Sequence, residues 1–129
     1  MPKSLKRIMH VDDDVIIQKI TRKALEEIGG FEVSTYGGGK EALDSLELVQ
    51  PHLILIDMVM PDMEGPQALH KLREEMGILD LPVIFVTGKD AEHIELDDVT
   101  LGVIGVIKKP YKPQEIVDRI REIWDNHHA

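Results

Sequence analysis

Cysteine is absent from the 129 residues, which removes disulfide staples, cysteine-based zinc sites and thiol nucleophiles together. That absence fits a reducing compartment, and the expected location is the cytoplasm. No apolar run approaches the roughly 20 residues that a membrane-spanning helix needs. The opening Met1-Pro2-Lys3-Ser4-Leu5-Lys6-Arg7 lacks the long apolar segment of a signal peptide. Basic charge is in deficit: 15 Lys+Arg face 24 Asp+Glu, a formal net charge of −9. Such a surface repels phosphate backbones and anionic lipids, which argues against direct nucleic-acid or membrane binding. Repeats, low-complexity stretches and linker-like segments are missing as well. What remains is one domain's worth of chain, expected to occupy residues 1–129 with a core over about 6–124. A composition of 43% hydrophobic and 30% charged residues suits a packed globular domain.

Short apolar runs alternate with helical patterns. Ile8 to Val11 is a β-type run that stops at Asp12-Asp13-Asp14, with Asp14 placed to cap the helix that follows. Ile17, Ile20, Ala24 and Ile28 recur at helical spacing until Gly29-Gly30. Phe31 to Thr35 reads as a strand and Gly37-Gly38-Gly39 as a flexible turn. Ala42, Leu43, Leu46 and Val49 read as the inner face of a second helix. Leu53-Ile54-Leu55-Ile56 is apolar throughout and stops at Asp57, which suits a strand buried on both faces in the middle of a parallel sheet. Pro66 opens a third helix with Ala68, Leu69, Leu72 and Met76 inward. Val83 to Val86 ends at Thr87-Gly88, a weak helix covers 90–101, and Val103 to Ile107 leads to Lys108-Lys109-Pro110. Pro113 opens a last helix with Ile116, Ile120, Ile123 and Trp124 inward. Five β–α units of this length predict an α/β fold: a five-stranded parallel sheet with helices on both faces, of flavodoxin-like type.

In such a sheet every strand's carboxyl end lies on one edge, where ligands bind near the point at which strand order reverses. That edge collects Asp12 and Asp13, Asp57, Thr87 and Lys109 from four different strands. Clustered carboxylates repel: two unit charges ~4 Å apart cost about 4 kcal/mol at an effective dielectric of about 20. A cation must therefore sit among them. A hard divalent ion such as Mg2+ suits carboxylate oxygens, and Lys109 adds a fixed positive charge. Mg2+, a lysine and a hydroxyl around a carboxylate are the parts needed to stabilise a transferring phosphoryl group. The aspartate itself can be the nucleophile.

At this point the chain resembles the receiver domain of two-component response regulators, the fold of the bacterial chemotaxis receiver. The resemblance rests on Val11-Asp12-Asp13-Asp14, on Leu55-Ile56-Asp57-Met58-Val59-Met60-Pro61-Asp62-Met63-Glu64-Gly65, on Val86-Thr87-Gly88 and on Lys109-Pro110, in that order and each at a strand end. It implies that Asp57 is the phosphoacceptor, loaded from a sensor histidine kinase or phosphotransfer protein. The implied metal set is Asp12, Asp13, Asp57 and the backbone carbonyl of Val59. Thr87 and Lys109 are implied to bind the phosphoryl group. A cis bond before Pro110 and a turn at Gly65 belong to the same pattern. The output implied is a changed contact with a downstream protein target through the 90–101 helix, the fifth strand and the last helix. The chain would act as a monomer or a weak phosphorylation-dependent dimer, and as a switch rather than an enzyme. A receiver of this extent is expected to be either stand-alone or cut from a longer parent.

One position departs from the pattern. Three residues before the lysine, where the family usually carries Tyr or Phe, stands Val106. The usual Thr–aromatic coupling cannot operate, so the switch must use backbone movement near 87–91 and the 90–101 helix, or signal differently. Tyr111 is expected only to pack. Val59 and Lys89 hold the positions that tune dephosphorylation in the family. An apolar Val59 cannot orient water, so slow self-hydrolysis is expected. Val59 also counts against an aspartyl-phosphate phosphatase of the haloacid dehalogenase type, which needs a second Asp there. A nucleotide or flavin binder is disfavoured by the acidic edge, and Gly37-Gly38-Gly39 lacks the spacing of a phosphate-binding loop. A degenerate receiver acting as a phosphorylation-independent interaction module is the remaining alternative. His10 and His52 are expected to be structural, His93 to lie on the surface and His127-His128 to fray. The methionines are read as core filler, with Met58, Met60 and Met63 flanking the site.

Overall fold

The structure, a computed structural model, describes residues 4–88 and 102–128. Five strands, β1 (Arg7–Val11), β2 (Glu32–Tyr36), β3 (Leu53–Asp57), β4 (Val83–Thr87) and β5 (Val103–Lys108), form one sheet in the order β2-β1-β3-β4-β5. All neighbouring strands are parallel, as the alternating pattern predicts. The helices among the described residues are α1 (Val15–Lys23), α2 (Gly39–Asp44), the single turn α3 (Leu46–Val49), α4 (Gly65–His70) and α5 (Pro113–His127). α1 and α4 each run on into a π-helical turn, Ala24–Ile28 and Lys71–Glu75. The helix expected over 90–101, with His93 and Lys89, lies outside the described residues.

Every residue of β3 is buried, because both faces of this strand are covered. Along the strands, alternate side chains feed two apolar layers. Met9, Val11, Ile54, Ile56 and Phe85 pack against Ala42, Leu43, Leu69 and Leu72 on one face. Ile8, Leu53, Leu55, Ile84 and Val86 pack against Leu25, Ile116, Val117, Ile120 and Trp124 on the other. This two-sided burial, with β1 and β3 as interior strands, sets their carboxyl ends at the middle of the sheet's edge.

Three side chains expected inside are out. Ile20, Ile28 and Met76 are 45%, 41% and 43% exposed. In α1 the buried line runs through Thr21, Ala24 and Leu25, continuing from half-buried Ile17, so Ile20 falls on the flank. The i→i+5 spacing of each π turn then rotates Ile28 and Met76 away from the sheet. Thr21 takes an inward place that its polarity disguises, because its hydroxyl has a half-buried partner in Tyr111. The C-terminal histidines do not fray. α5 continues through His127, and the His128 ring stacks near Trp124 and bonds its carbonyl at 2.8 Å. His52 is structural as expected: its Nδ1 accepts from the Lys6 and Arg7 amides, at the edge opposite the carboxylates.

Candidate functional site

β1 and β3 pair in register with Val11 beside Ile56, so the next residue of each strand, Asp12 and Asp57, stand side by side. The Asp12 amide extends the β1–β2 pairing by donating to the Tyr36 carbonyl at 3.0 Å. Its Oδ1 accepts from the Asp14 amide at 2.9 Å. Asp14 caps α1 as its position predicts, accepting from the Ile16 and Ile17 amides. The tight turn leaves Asp13 exposed while Asp12 is buried.

Lys109 arrives from the opposite side of the crevice. Its Nζ lies 2.9 Å from Asp12 Oδ2 and 3.1 Å from Asp57 Oδ2. Its backbone amide donates to the Thr87 carbonyl at 2.7 Å, which sets the end of β5 against the end of β4. The following peptide, Lys109–Pro110, is cis. Lys108 points out to solvent, so of the two adjacent lysines it is Lys109 that reaches the carboxylates.

Burial pushes the Asp57 carboxyl up to about 6, and the charge of Asp12 adds to this; Lys109 and the Val59 amide pull the other way. For Lys109, burial opposes the charged form. The bond to Asp12 and the charges of Asp57 and Asp12 outweigh it and raise the ammonium to about 12. One ammonium thus faces three carboxylates, whose oxygens from Asp12, Asp13 and Asp57 lie within 4.8 Å of one another. The excess negative charge, the all-oxygen donor set and the exposed Asp13 side fit a hard divalent cation. Val59, which begins the loop after β3, pairs with Glu64 across an antiparallel bridge. Gly65 closes the loop by donating to the Met58 carbonyl at 2.8 Å, and a Cβ there would press within 3.2 Å of Met58 Cα.

The structure therefore brings Asp12, Asp13, Asp57 and Lys109 together, sets Thr87 at the neighbouring strand end and puts Val59 at the foot of the adjoining loop. Val106 lies opposite Phe85 in the β4–β5 register, half-buried against the apolar layer. Met58, Met60 and Met63 are buried core residues as well as neighbours of the site.

Several participants escape a reading of the sequence. Tyr111 is more than packing: its hydroxyl lies 2.6 Å from Thr21 Oγ1. Gln18 Nε2 donates to the Asp12 carbonyl, tying α1 to the acidic turn. His10, two residues before Asp12, is fully buried with no hydrogen-bond partner on either ring nitrogen among the described residues. Burial lowers it to about 4 against the pull of Asp12, so it is neutral. The glycine run is not a loose turn. Gly39 is buried at the start of α2, and its amide and that of Lys40 bond the Asp62 carboxylate.

Comparison with known proteins bears on the same residues. The family model described as Response regulator receiver domain matches residues 8–121. A probable transcriptional regulator, ycf27, of Cyanophora paradoxa is 34% identical over 118 residues, covering 92% of this chain and 48% of that protein. The alkaline phosphatase synthesis transcriptional regulatory protein PhoP of Bacillus subtilis is 32% identical over 118 residues, with the same coverage of 92% and 48%. The chain spans about half the length of the curated relatives it matches. Among solved structures, a CheY-like receiver domain protein from Methanospirillum hungatei JF-1 superposes with a TM-score of 0.79 at 33% identity, over 95% of this chain and 96% of that one. The chemotaxis response regulator CheY4 of Vibrio cholerae gives a TM-score of 0.80 at 22% identity, over 93% and 99%, and shares the fold.

Proposed function

Because this chain belongs to the response regulator receiver family, we propose that it works as a phosphorylation-operated switch with Asp57 as the phosphoacceptor. The observation that carries the reading is the Lys109 ammonium lodged between Asp12 and Asp57, with Asp13 in reach of the same point.

The step is in-line displacement at phosphorus. An Asp57 carboxylate oxygen forms the new O–P bond as the P–N bond of a phosphohistidine donor breaks, and the imidazole leaves with the electron pair and is protonated by solvent. Asp57 must be ionised to attack, and a carboxyl raised only to about 6 is mostly ionised near neutrality. Lys109, charged throughout, balances the added phosphoryl charge. Thr87, at the end of β4 beside β3, offers a hydroxyl to a phosphoryl oxygen. Asp12, Asp13, Asp57 and the Val59 carbonyl would hold Mg2+, which when bound neutralises charge on the transferring group. Val59 presents only methyl groups, so water is poorly oriented and the acyl phosphate persists.

The donor needs a surface beside Asp57. Val15, Ile16 and Ile20 on α1 are 56%, 69% and 45% exposed, an apolar ridge that starts at the Asp14 cap. It suits a helix of a histidine kinase or phosphotransfer protein. Among the described residues no helix is long and apolar enough to cross a membrane. We read the chain as a cytoplasmic switch, monomeric or weakly dimeric when phosphorylated, that passes its signal to a protein target.

The test is intact-mass measurement after incubation with acetyl phosphate and Mg2+. One phosphoryl group should appear on the wild type, only with metal, and none on Asp57→Asn. Absence of uptake by the wild type under every condition would sink the reading in favour of an interaction module.

A further inference from the structure

Asp62 reaches from the loop after β3 to the first turn of α2. Its Oδ1 accepts from the Gly39 amide at 3.1 Å and its Oδ2 from the Lys40 amide at 2.9 Å. These are amides that a helix start leaves without partners inside the helix. Burial alone would raise this carboxyl, yet the bonds from Lys40 and Gly39 hold it below the usual carboxylate range. The next residue, Met63, is buried on Gly39, where a Cβ would come 2.5 Å from its Sδ. At Gly38 a Cβ would come 3.0 Å from Asp62 Oδ1. The two glycines are therefore a floor on which the tip of the loop rests.

The foot of the same loop is Val59, fixed by its pairing with Glu64 and by the Gly65–Met58 bond. The segment is thus held at both ends, and its foot carries the carbonyl assigned to the metal. We propose that Asp62 is a positioning residue for the metal centre: by fastening the loop tip to α2, it holds the Val59 carbonyl in place beside Asp12, Asp13 and Asp57. The inference rests on the metal-dependent reading given above.

The test is calorimetric titration of the full chain with Mg2+ alone, for the wild type, Asp62→Ala, Asp62→Asn and Gly39→Ala. Loss of a partner that orients a metal ligand typically weakens metal affinity by about tenfold or more. Asp62→Ala and Gly39→Ala should each raise the Mg2+ dissociation constant by about tenfold, with Asp62→Asn in between because its carbonyl still accepts one amide. Asp57 labelling by acetyl phosphate should then need more Mg2+ for its half-maximal rate and recover at saturation. The isosteric Asn variant carries the test should the Ala variants fold poorly.

Unchanged Mg2+ binding in Asp62→Ala overturns the inference. It is also overturned by Asp62→Asn losing as much as Asp62→Ala while Gly39→Ala loses nothing, because that pattern reports only a missing charge. A wild type that binds no Mg2+ overturns the metal reading together with this one. A wild type that binds and labels normally alongside unaffected variants removes the positioning role alone.

Discussion

The hydroxyls of Thr21 and Tyr111, 90 positions apart in the chain, meet at 2.6 Å. The bond fastens α1 to the segment that follows Lys109 and Pro110. Thr21 is fully buried, so removing the tyrosine hydroxyl leaves a buried polar atom without its partner. Tyr111→Phe should cost about 1–3 kcal/mol in urea unfolding, and Thr21→Val a similar amount. The double variant should lose less than the sum, because both orphans disappear together. Strict additivity would show that the two hydroxyls do not interact.

Asp57 gives the metal-free protein a distinctive pH dependence. Folded, this carboxyl holds its proton up to about 6, against 3.8 for the unfolded group, chiefly through burial. Between those values the folded state binds more protons, so this group makes stability fall as pH rises. Asp57→Asn removes the fall and should stabilise the metal-free chain at neutral pH by about 2 kcal/mol, the roughly 3 kcal/mol of the full shift being reduced by solvent screening at this partly open site. His10 acts in the opposite sense. Lowered by burial from 6.5 to about 4, it makes stability rise across its own window. Subtracting the variant's urea stability from that of the wild type across the acid range isolates Asp57. A flat difference would falsify the assignment.

Lys109 competes for the oxygens that a metal would use. Lys109→Gln takes away one positive charge within 3.1 Å of Asp57 and 2.9 Å of Asp12. Mg2+ binding should tighten by about tenfold, in line with Coulomb repulsion between close cations, while phosphoryl transfer slows. Calorimetric titration in parallel with acetyl phosphate labelling checks both halves. Weaker Mg2+ binding in the variant would show that the lysine organises the carboxylates instead of competing for them.

Arg73 serves the opposite end of the sheet. Buried in the π turn after α4, it bonds the Ile78 carbonyl at 2.9 Å and the Leu81 carbonyl at 2.7 Å, bracing the approach to β4. Arg73→Met should cost about 3 kcal/mol by urea unfolding while leaving Mg2+ affinity near that of the wild type. Lysine should rescue little of the stability, since it lacks the planar fork that reaches both carbonyls.

The aspartates at the ends of β1 and β3 are legible in the sequence because a buried apolar strand that stops at a carboxylate is a strong physical anomaly. The sheet is legible for the same reason, through the period of its apolar runs. What escapes depends on partners far along the chain. Asp62 looks like an ordinary turn residue until α2 is placed beside it, and Gly38-Gly39 looks loose until Met63 rests on it. Thr21 hides because the apolar Ile20 next to it draws the helical stripe one residue too early. The π turns carry no local signature, so Ile28 and Met76 are assigned inward when the extra residue per turn faces them out.

The pairing of β1 with β3 makes tolerance of inserted residues sharply uneven. Side chains alternate along a strand, so one residue added inside β1 just before Val11 would bring Val11 to the edge and rotate Asp12 onto the other apolar layer. The same addition beside Gly77, an exposed position with open space around it, lengthens a surface connection and strains at most the Arg73 bonds, away from the carboxylates. A library of single-residue insertions should therefore lose phosphoryl uptake at the ends of β1 and β3 while remaining competent near Gly77. The site is encoded in the spacing of the two central strands as much as in the acids themselves.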